Sequence, residues 1–184
     1  MTSGIEDLQD AEDRSIAVAI HQALVPSVRL ELLPKSTVDV FITVIETDGM
    51  EGCISSGVVA ASTALADAGI EMLGLVMSCS AVRVPSHFPN HSHLPQAVVG
   101  TETWLDPTTQ EVQLSQGTLV LSCMPALGII TSLWESGQMK TEKALTVGSF
   151  PFQGPSNILT YSLSVLLCVK SDVLIFILLW LKLY

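Results

Sequence analysis

The side chains best suited to chemistry in this 184-residue chain are a turn of acids, a loop of histidines and four scattered thiols. At the turn, Asp48 precedes Gly49, and Glu51 follows two positions later. Glycine tolerates positive φ and an Asp carboxylate can bond nearby backbone N–H groups, so this pair reverses the chain. Asp48 therefore reads as a turn residue ahead of a catalytic one. The loop carries His87, His91 and His93, three of the four histidines. Imidazole is a common zinc ligand. Here Pro85, Pro89 and Pro95 bar the helix that would bring His87 and His91 together, and no Cys, Asp or Glu lies within the loop. A solvated insertion is expected, and no metal site. The thiols of Cys53, Cys79, Cys123 and Cys168 form no Cys-x-x-Cys pair. They read as buried free thiols of a reducing compartment.

The acidic turn needs elements on both sides to position it. Before it, Val38, Val40, Ile42 and Val44 alternate with Asp39, Phe41, Thr43 and Ile45. Both sets are largely apolar, which predicts a central strand covered on both faces. After it, Ile54, Val58, Ala61, Leu65 and Ala68 recur at helical spacing, with Ala, Ser and Gly between them allowing close approach to a sheet. Gly69 suits a left-handed C-cap, and the stretch 70–81 reads as another strand. Upstream, Ile16, Ala19, Ile20, Ala23 and Leu24 outline an amphipathic helix that Pro26 kinks or ends. Its acidic lead, residues 1–12, is either a disordered segment or a helix start favoured by negative charge. Downstream, 85–95 reads as a loop and Trp104-Leu105-Asp106-Pro107 as a strand end and turn. Residues 117–124 and 129–134 read as an antiparallel pair, Ser136-Gly137-Gln138 as its punctuation, and 141–147 as a helix start.

Composition bounds the function. Hydrophobic residues make up 48% of the chain and charged ones only 14%, enough for one domain with a substantial core. The formal charge of −10 excludes strong stand-alone binding to nucleic acid, which rests on Lys and Arg neutralising phosphates. No positively charged, apolar, cleavable signal stands at the start of the sequence.

Four strings carry a resemblance: Ala23-Leu24-Val25-Pro26-Ser27-Val28-Arg29-Leu30, the Asp48-Gly49 turn, Ala64-Leu65-Ala66-Asp67-Ala68-Gly69-Ile70-Glu71-Met72, and Trp104-Leu105-Asp106-Pro107-Thr108. Over residues 13–148 the chain resembles the ribonuclease PH-like ring subunits of the RNA exosome, of the mRNA transport regulator type. The resemblance implies an α+β fold, a partial ribonuclease PH-like domain of the ribosomal protein S5 domain 2-like β/α sandwich kind.

In catalytic members of that family the turn reads Asp-Gly-Gly-Thr-Arg, and the Arg fork holds phosphate or the RNA 3′ end. This chain reads Asp48-Gly49-Met50-Glu51-Gly52, so Gly52 stands where the Arg would be, with the negative Glu51 beside it. Catalytic relatives also carry Leu-Asp, then Glu-Asp-Ser, then a further Asp, which supply carboxylates for metal binding or proton transfer. Leu105, Asp106 and Glu111 match that pattern, while Val112 and Thr118 fall on the two Asp positions. The expectation is no catalytic residue, no cofactor and no metal. Arg29, Lys35 and Arg83 are the candidate cations along an RNA path through an assembled ring, although each reads first as a surface or interface charge.

The two ends depart from the family pattern. The resemblance implies several more strands before the helix at Asp13 and amphipathic helices after Gly148. Instead Phe150-Pro151-Phe152-Gln153-Gly154-Pro155 breaks the chain, and residues 149–184 form a hydrophobic tail. A bilayer span takes about 20 apolar residues. Lys170 and Asp172 interrupt residues 158–181, so a membrane anchor is disfavoured against a translated intron or a shifted reading frame. The resemblance thus implies a non-catalytic exosome ring subunit in 3′-to-5′ RNA processing and decay. Its expected partners are other ring subunits, cap subunits and RNA, in nucleus, nucleolus and cytoplasm. An active phosphate-dependent 3′-exoribonuclease and a tail-anchored membrane protein are the alternatives.

Overall fold

The computed structural model describes residues 3–85, 101–137 and 175–183. Helix α1 spans Ser3–Leu24, so the acidic lead is helical from Ser3 onward. A 3-10 turn over Val25–Ser27, carrying Pro26, ends it. A second one, Leu30–Leu32, leads into strand β1, Ser36–Val44. Helix α2 follows at Met50–Asp67, four residues earlier than the apolar spacing suggests, because Gly49 at φ 117 serves as its N-cap. Gly69 adopts φ 73. Gly69 N–H donates to the Ala66 carbonyl and Ile70 N–H to that of Leu65, both at 3.1 Å, the paired bonds of a Schellman ending.

Four strands form one antiparallel sheet in the order β3-β2-β4-β5, with β2 at Met77–Pro85, β3 at Thr101–Leu105, β4 at Gly117–Met124 and β5 at Ile129–Gly137. The antiparallel β4–β5 pair is as the sequence suggests, and β5 runs through to Gly137. At that end the Gly137 backbone turns to φ 96, and an added Cβ would meet Gly117 Cα at 2.8 Å. Between β3 and β4 lies a six-residue helix, α3, Thr109–Leu114. The strand expected over 70–81 starts only at Met77. Before it, Met72 bridges Val28, and Arg29 N–H and Leu73 N–H bond the Glu71 and Ser27 carbonyls. That stretch follows the chain leaving α1 instead of joining the sheet.

The core forms where α2 is enclosed. Ala19, Ile20, Ala23 and Leu24 of α1 meet Ile54, Val58, Ala61 and Leu65 of α2, with Val76, Val120 and Met124 beneath and Trp134 half-buried against them. Burying a side chain of this size contributes about 1.5–3 kcal/mol. Close approach is to a helix as well as to the sheet, since an added Cβ on Gly57 would stand 2.6 Å from Ile20 Cδ1. Ser62 Oγ accepts the Val76 N–H at 2.8 Å, fixing the middle of α2 to the entry of β2.

The reading of β1 as a central strand is corrected. Its one partner among the described residues is β6, Ile175–Leu183, antiparallel over nine residue pairs. Val38, Val40 and Ile42 face the core half-buried, while Asp39, Phe41 and Thr43 are exposed. Among the described residues the core around α1 and α2 covers one face of this two-stranded sheet, and on the other the apolar Phe41 stays 55% exposed. Part of the apolar tail is thus a strand, and none of the described helices is long and apolar enough to cross a membrane. The 85–95 loop beyond Pro85, the helix start at 141–147 and Cys168 lie outside the described residues.

Candidate functional site: the acidic turn at the start of α2

The turn lies where α2, α3 and β4 all begin. Thr47 Oγ1 donates to the Gly49 carbonyl at 2.8 Å and tightens the turn. The Asp48 carboxylate reaches across 61 residues of chain: its Oδ1 accepts from Thr109 Oγ1 at 2.9 Å and from Thr109 N–H at 3.4 Å. Asp48 therefore ties the start of α3 to the turn, a role its own turn geometry does not reveal.

Helix α3 was not anticipated, although its signal is in the sequence. Thr108 and Glu111 form a capping box: Thr108 N–H donates to Glu111 Oε2 at 2.8 Å, and Glu111 N–H to Thr108 Oγ1 at 3.4 Å. A Thr followed three residues later by Glu announces such a start. Glu111, which the resemblance matches to a site carboxylate, is thus engaged as a helix cap. Just before it, Asp106 takes φ 53 and its N–H donates to the Ser80 carbonyl at 2.9 Å, carrying the chain from β3 into α3.

Glu51 is the least expected member. It lies in the first turn of α2, where negative charge is favoured, and only 8% of it is exposed. Its Oε1 accepts from Thr118 Oγ1 at 2.9 Å, and Thr118 is itself 3% exposed on β4. Its Oε2 lies 3.5 Å from where a Gly49 Cβ would stand. Gly52, one residue on, is open: an added Cβ meets nothing within 4 Å. The carboxylates whose bonds meet at the turn are those of Asp48 and Glu51, with Glu111 capping the helix beside it.

With this geometry in hand, the comparisons have a frame. Residues 3–71 match the 3′ exoribonuclease family, domain 1. The chain is 33% identical over 132 residues to the exosome complex component mtr3 of Schizosaccharomyces pombe, covering 71% of this chain and 46% of that protein. It is 36% identical over 129 residues to the exosome complex component MTR3 of Mus musculus, covering 69% and 41%. The chain belongs to the ribonuclease PH family. It is also 31% identical over 145 residues to the exosome complex component Rrp41 of Pyrococcus furiosus, covering 79% and 51%. The chain spans less than half the length of the two MTR3 proteins. The matched residues 3–71 hold α1, β1, the acidic turn and α2, while α3 and β4, which carry Thr109 and Thr118, lie beyond them.

The ribonuclease PH frame also locates the three candidate cations. Arg29 is committed to two carboxylates, with Nε 3.0 Å from Glu31 Oε1 and Nη1 3.2 Å from Glu71 Oε2. Backbone bonding and the Arg29 guanidinium hold the Glu31 carboxyl below its ordinary value. Lys35 is exposed, at φ 60 in the turn before β1. Arg83 is half-buried on β2; Val82 pairs with Thr118, so Arg83 alternates to the opposite face from Thr118. The structure therefore distributes these cations over three segments, the turns after α1 and before β1 and strand β2.

The thiols are the remaining reactive groups. Cys53, Cys79 and Cys123 are free. Burial pushes Cys79 up to about 12, with the neighbouring Cys123 thiol adding to the shift. Burial likewise raises Cys123, and it raises Cys53 with help from the Asp13 charge, against a smaller opposing bond from Thr47. The thiolate is the nucleophilic form, and burial keeps these thiols protonated at neutral pH. No group of three or more His, Cys, Asp or Glu side chains suited to a metal occurs among the described residues.

Proposed function

We propose that this chain is a non-catalytic subunit of an RNA exosome ring, contributing to 3′-to-5′ RNA processing and decay by holding its neighbours. Family membership and the exosome names of its relatives support the assembly. One observation carries the non-catalytic part: the buried Glu51 carboxylate bonded to Thr118 at the place where the family resemblance sets phosphate and acid–base chemistry. A carboxylate in that position opposes phosphate, and a threonine hydroxyl does not replace a carboxylate as general base or metal ligand. Partners on this reading are the other ring subunits and the cap subunits. RNA contact arises within the assembly, where Lys35 is the exposed cation of the three candidates. The places of work are nucleus, nucleolus and cytoplasm.

Two measurements test this. Tagged chain expressed in cells is expected to recover ribonuclease PH-like ring subunits, and recovery of none of them counts against assembly. Purified chain incubated with single-stranded RNA and inorganic phosphate is expected to release no nucleoside diphosphate. Phosphate-dependent release that Asp48→Asn abolishes would establish the alternative, an active phosphorolytic exoribonuclease, which the family's description as 3′ exoribonucleases keeps in view.

A further inference from the structure

Thr118 is the second residue of β4 and stands inside the sheet, paired with Val82 of β2 on one side and Ser136 of β5 on the other. At 3% exposure it has no water to turn to, and its hydroxyl donates to Glu51 Oε1 at 2.9 Å. Glu51 is confined as well, buried in the first turn of α2 with its other oxygen folded toward Gly49. Each side chain therefore fixes what the other can be. A buried carboxylate needs a donor, and a side chain beside it must be able to give a proton in a hydrogen bond.

We infer that Glu51 bars an ionised carboxylate from position 118: the pair is a lock between α2 and β4 that requires a hydrogen-bond donor on the strand. An aspartate at 118 would set two carboxyl groups at hydrogen-bond distance in a buried site, where both cannot ionise and one must take up a proton at a cost in stability at neutral pH. The consequence deepens the non-catalytic reading, on which it rests for its meaning. Of the two positions where the resemblance expects Asp, 118 cannot be returned to an ionised carboxylate by a single change. Glu51 has to be cleared first. At Gly52 an added Cβ meets no atom of the described residues within 4 Å.

Stability, not activity, tests the lock, so its failure is distinct from failure of the non-catalytic reading, which the phosphorolysis assay decides. Thermal midpoints of the full chain are compared for Thr118→Asp, Thr118→Asn and Thr118→Asp combined with Glu51→Gln. Asn has the size of Asp and brings two N–H donors to Glu51, so its midpoint should stay within about 3 °C of the parent. Thr118→Asp should fall by on the order of 10 °C or fail to fold. Adding Glu51→Gln, whose amide can donate to Asp, should restore most of that loss. Equal losses for Asn and Asp would make the barrier one of shape and overturn the inference. So would a Thr118→Asp defect that persists unchanged beside Glu51→Gln, including failure of both to fold.

Discussion

Asp48, Glu51 and Glu111 each hold a neighbour: the start of α3, a hydroxyl on β4 and the N-cap of α3. Their acidity was readable in the sequence, and so was the absence of an Arg at 52. Their partners were not, because Asp48 and Thr109 are 61 residues apart and Glu51 and Thr118 are 67 apart. Spacing arguments see neighbours within a turn or a strand; they do not see which distant hydroxyl a carboxylate will meet. The thiols allow a test at this scale. Cys79 has a folded value of about 12 against an ordinary 9.0, so the folded state keeps its proton where the unfolded state loses it. Stability from this group is complete below pH 9 and is lost as pH rises toward 12, because the native state then binds more protons. Chemical-denaturation midpoints should therefore fall over that window more steeply in the parent than in Cys79→Ser. Equal slopes would show that Cys79 does not titrate as its burial implies.

Among elements, the shortest helix makes the strongest demand on its cap. An isolated helix of six residues is unstable in water, so α3 depends on its anchors. Those anchors are the Thr108–Glu111 box and the Asp48–Thr109 bonds. Thr108→Ala should cost about 1 kcal/mol, read as a lowered denaturation midpoint, with faster amide exchange confined to Thr109–Leu114. Unchanged exchange there would place the hold on α3 elsewhere. The same comparison shows what pattern reading could reach. The helical spacing of Ile54, Val58, Ala61 and Leu65, the Gly69 ending and the β4–β5 pair were legible because each is a local rule. The early start of α2 was missed because its first turn, Met50-Glu51-Gly52-Cys53, has no apolar periodicity and is set by the Gly49 cap. Strand β1 was misjudged for a different reason. Apolar residues on both faces report what a strand tolerates, whereas its cover depends on which strands and helices lie beside it.

For the whole molecule, that cover is the exposed point. The β1–β6 sheet has two strands, and a two-stranded pair alone is marginal in water. Here it is supported by Val38, Val40 and Ile42 packing toward the core around α2. On the other face Phe41 is 55% exposed, and at the strand's end Val44, on the core-facing row, is 40% exposed, with Ile45 beyond the strand at 56%. Removing residues 175–184 would strip β1 of its nine paired positions and leave a row of unbonded N–H and C=O groups along an apolar strand. Such an edge recruits another strand, and the nearest supply is the same edge on a second copy. The truncated chain should accordingly show a larger, concentration-dependent mass by light scattering than the full chain. Phe41→Lys in the truncated background should reverse part of that gain by placing a charge on the exposed face while leaving the core-facing set intact. A truncated chain with the parent's mass and melting midpoint would mean that β6 contributes no protection. In that case the half-buried face of β1 would owe its burial to the core around α1 and α2, and β6 would not be needed to hold it.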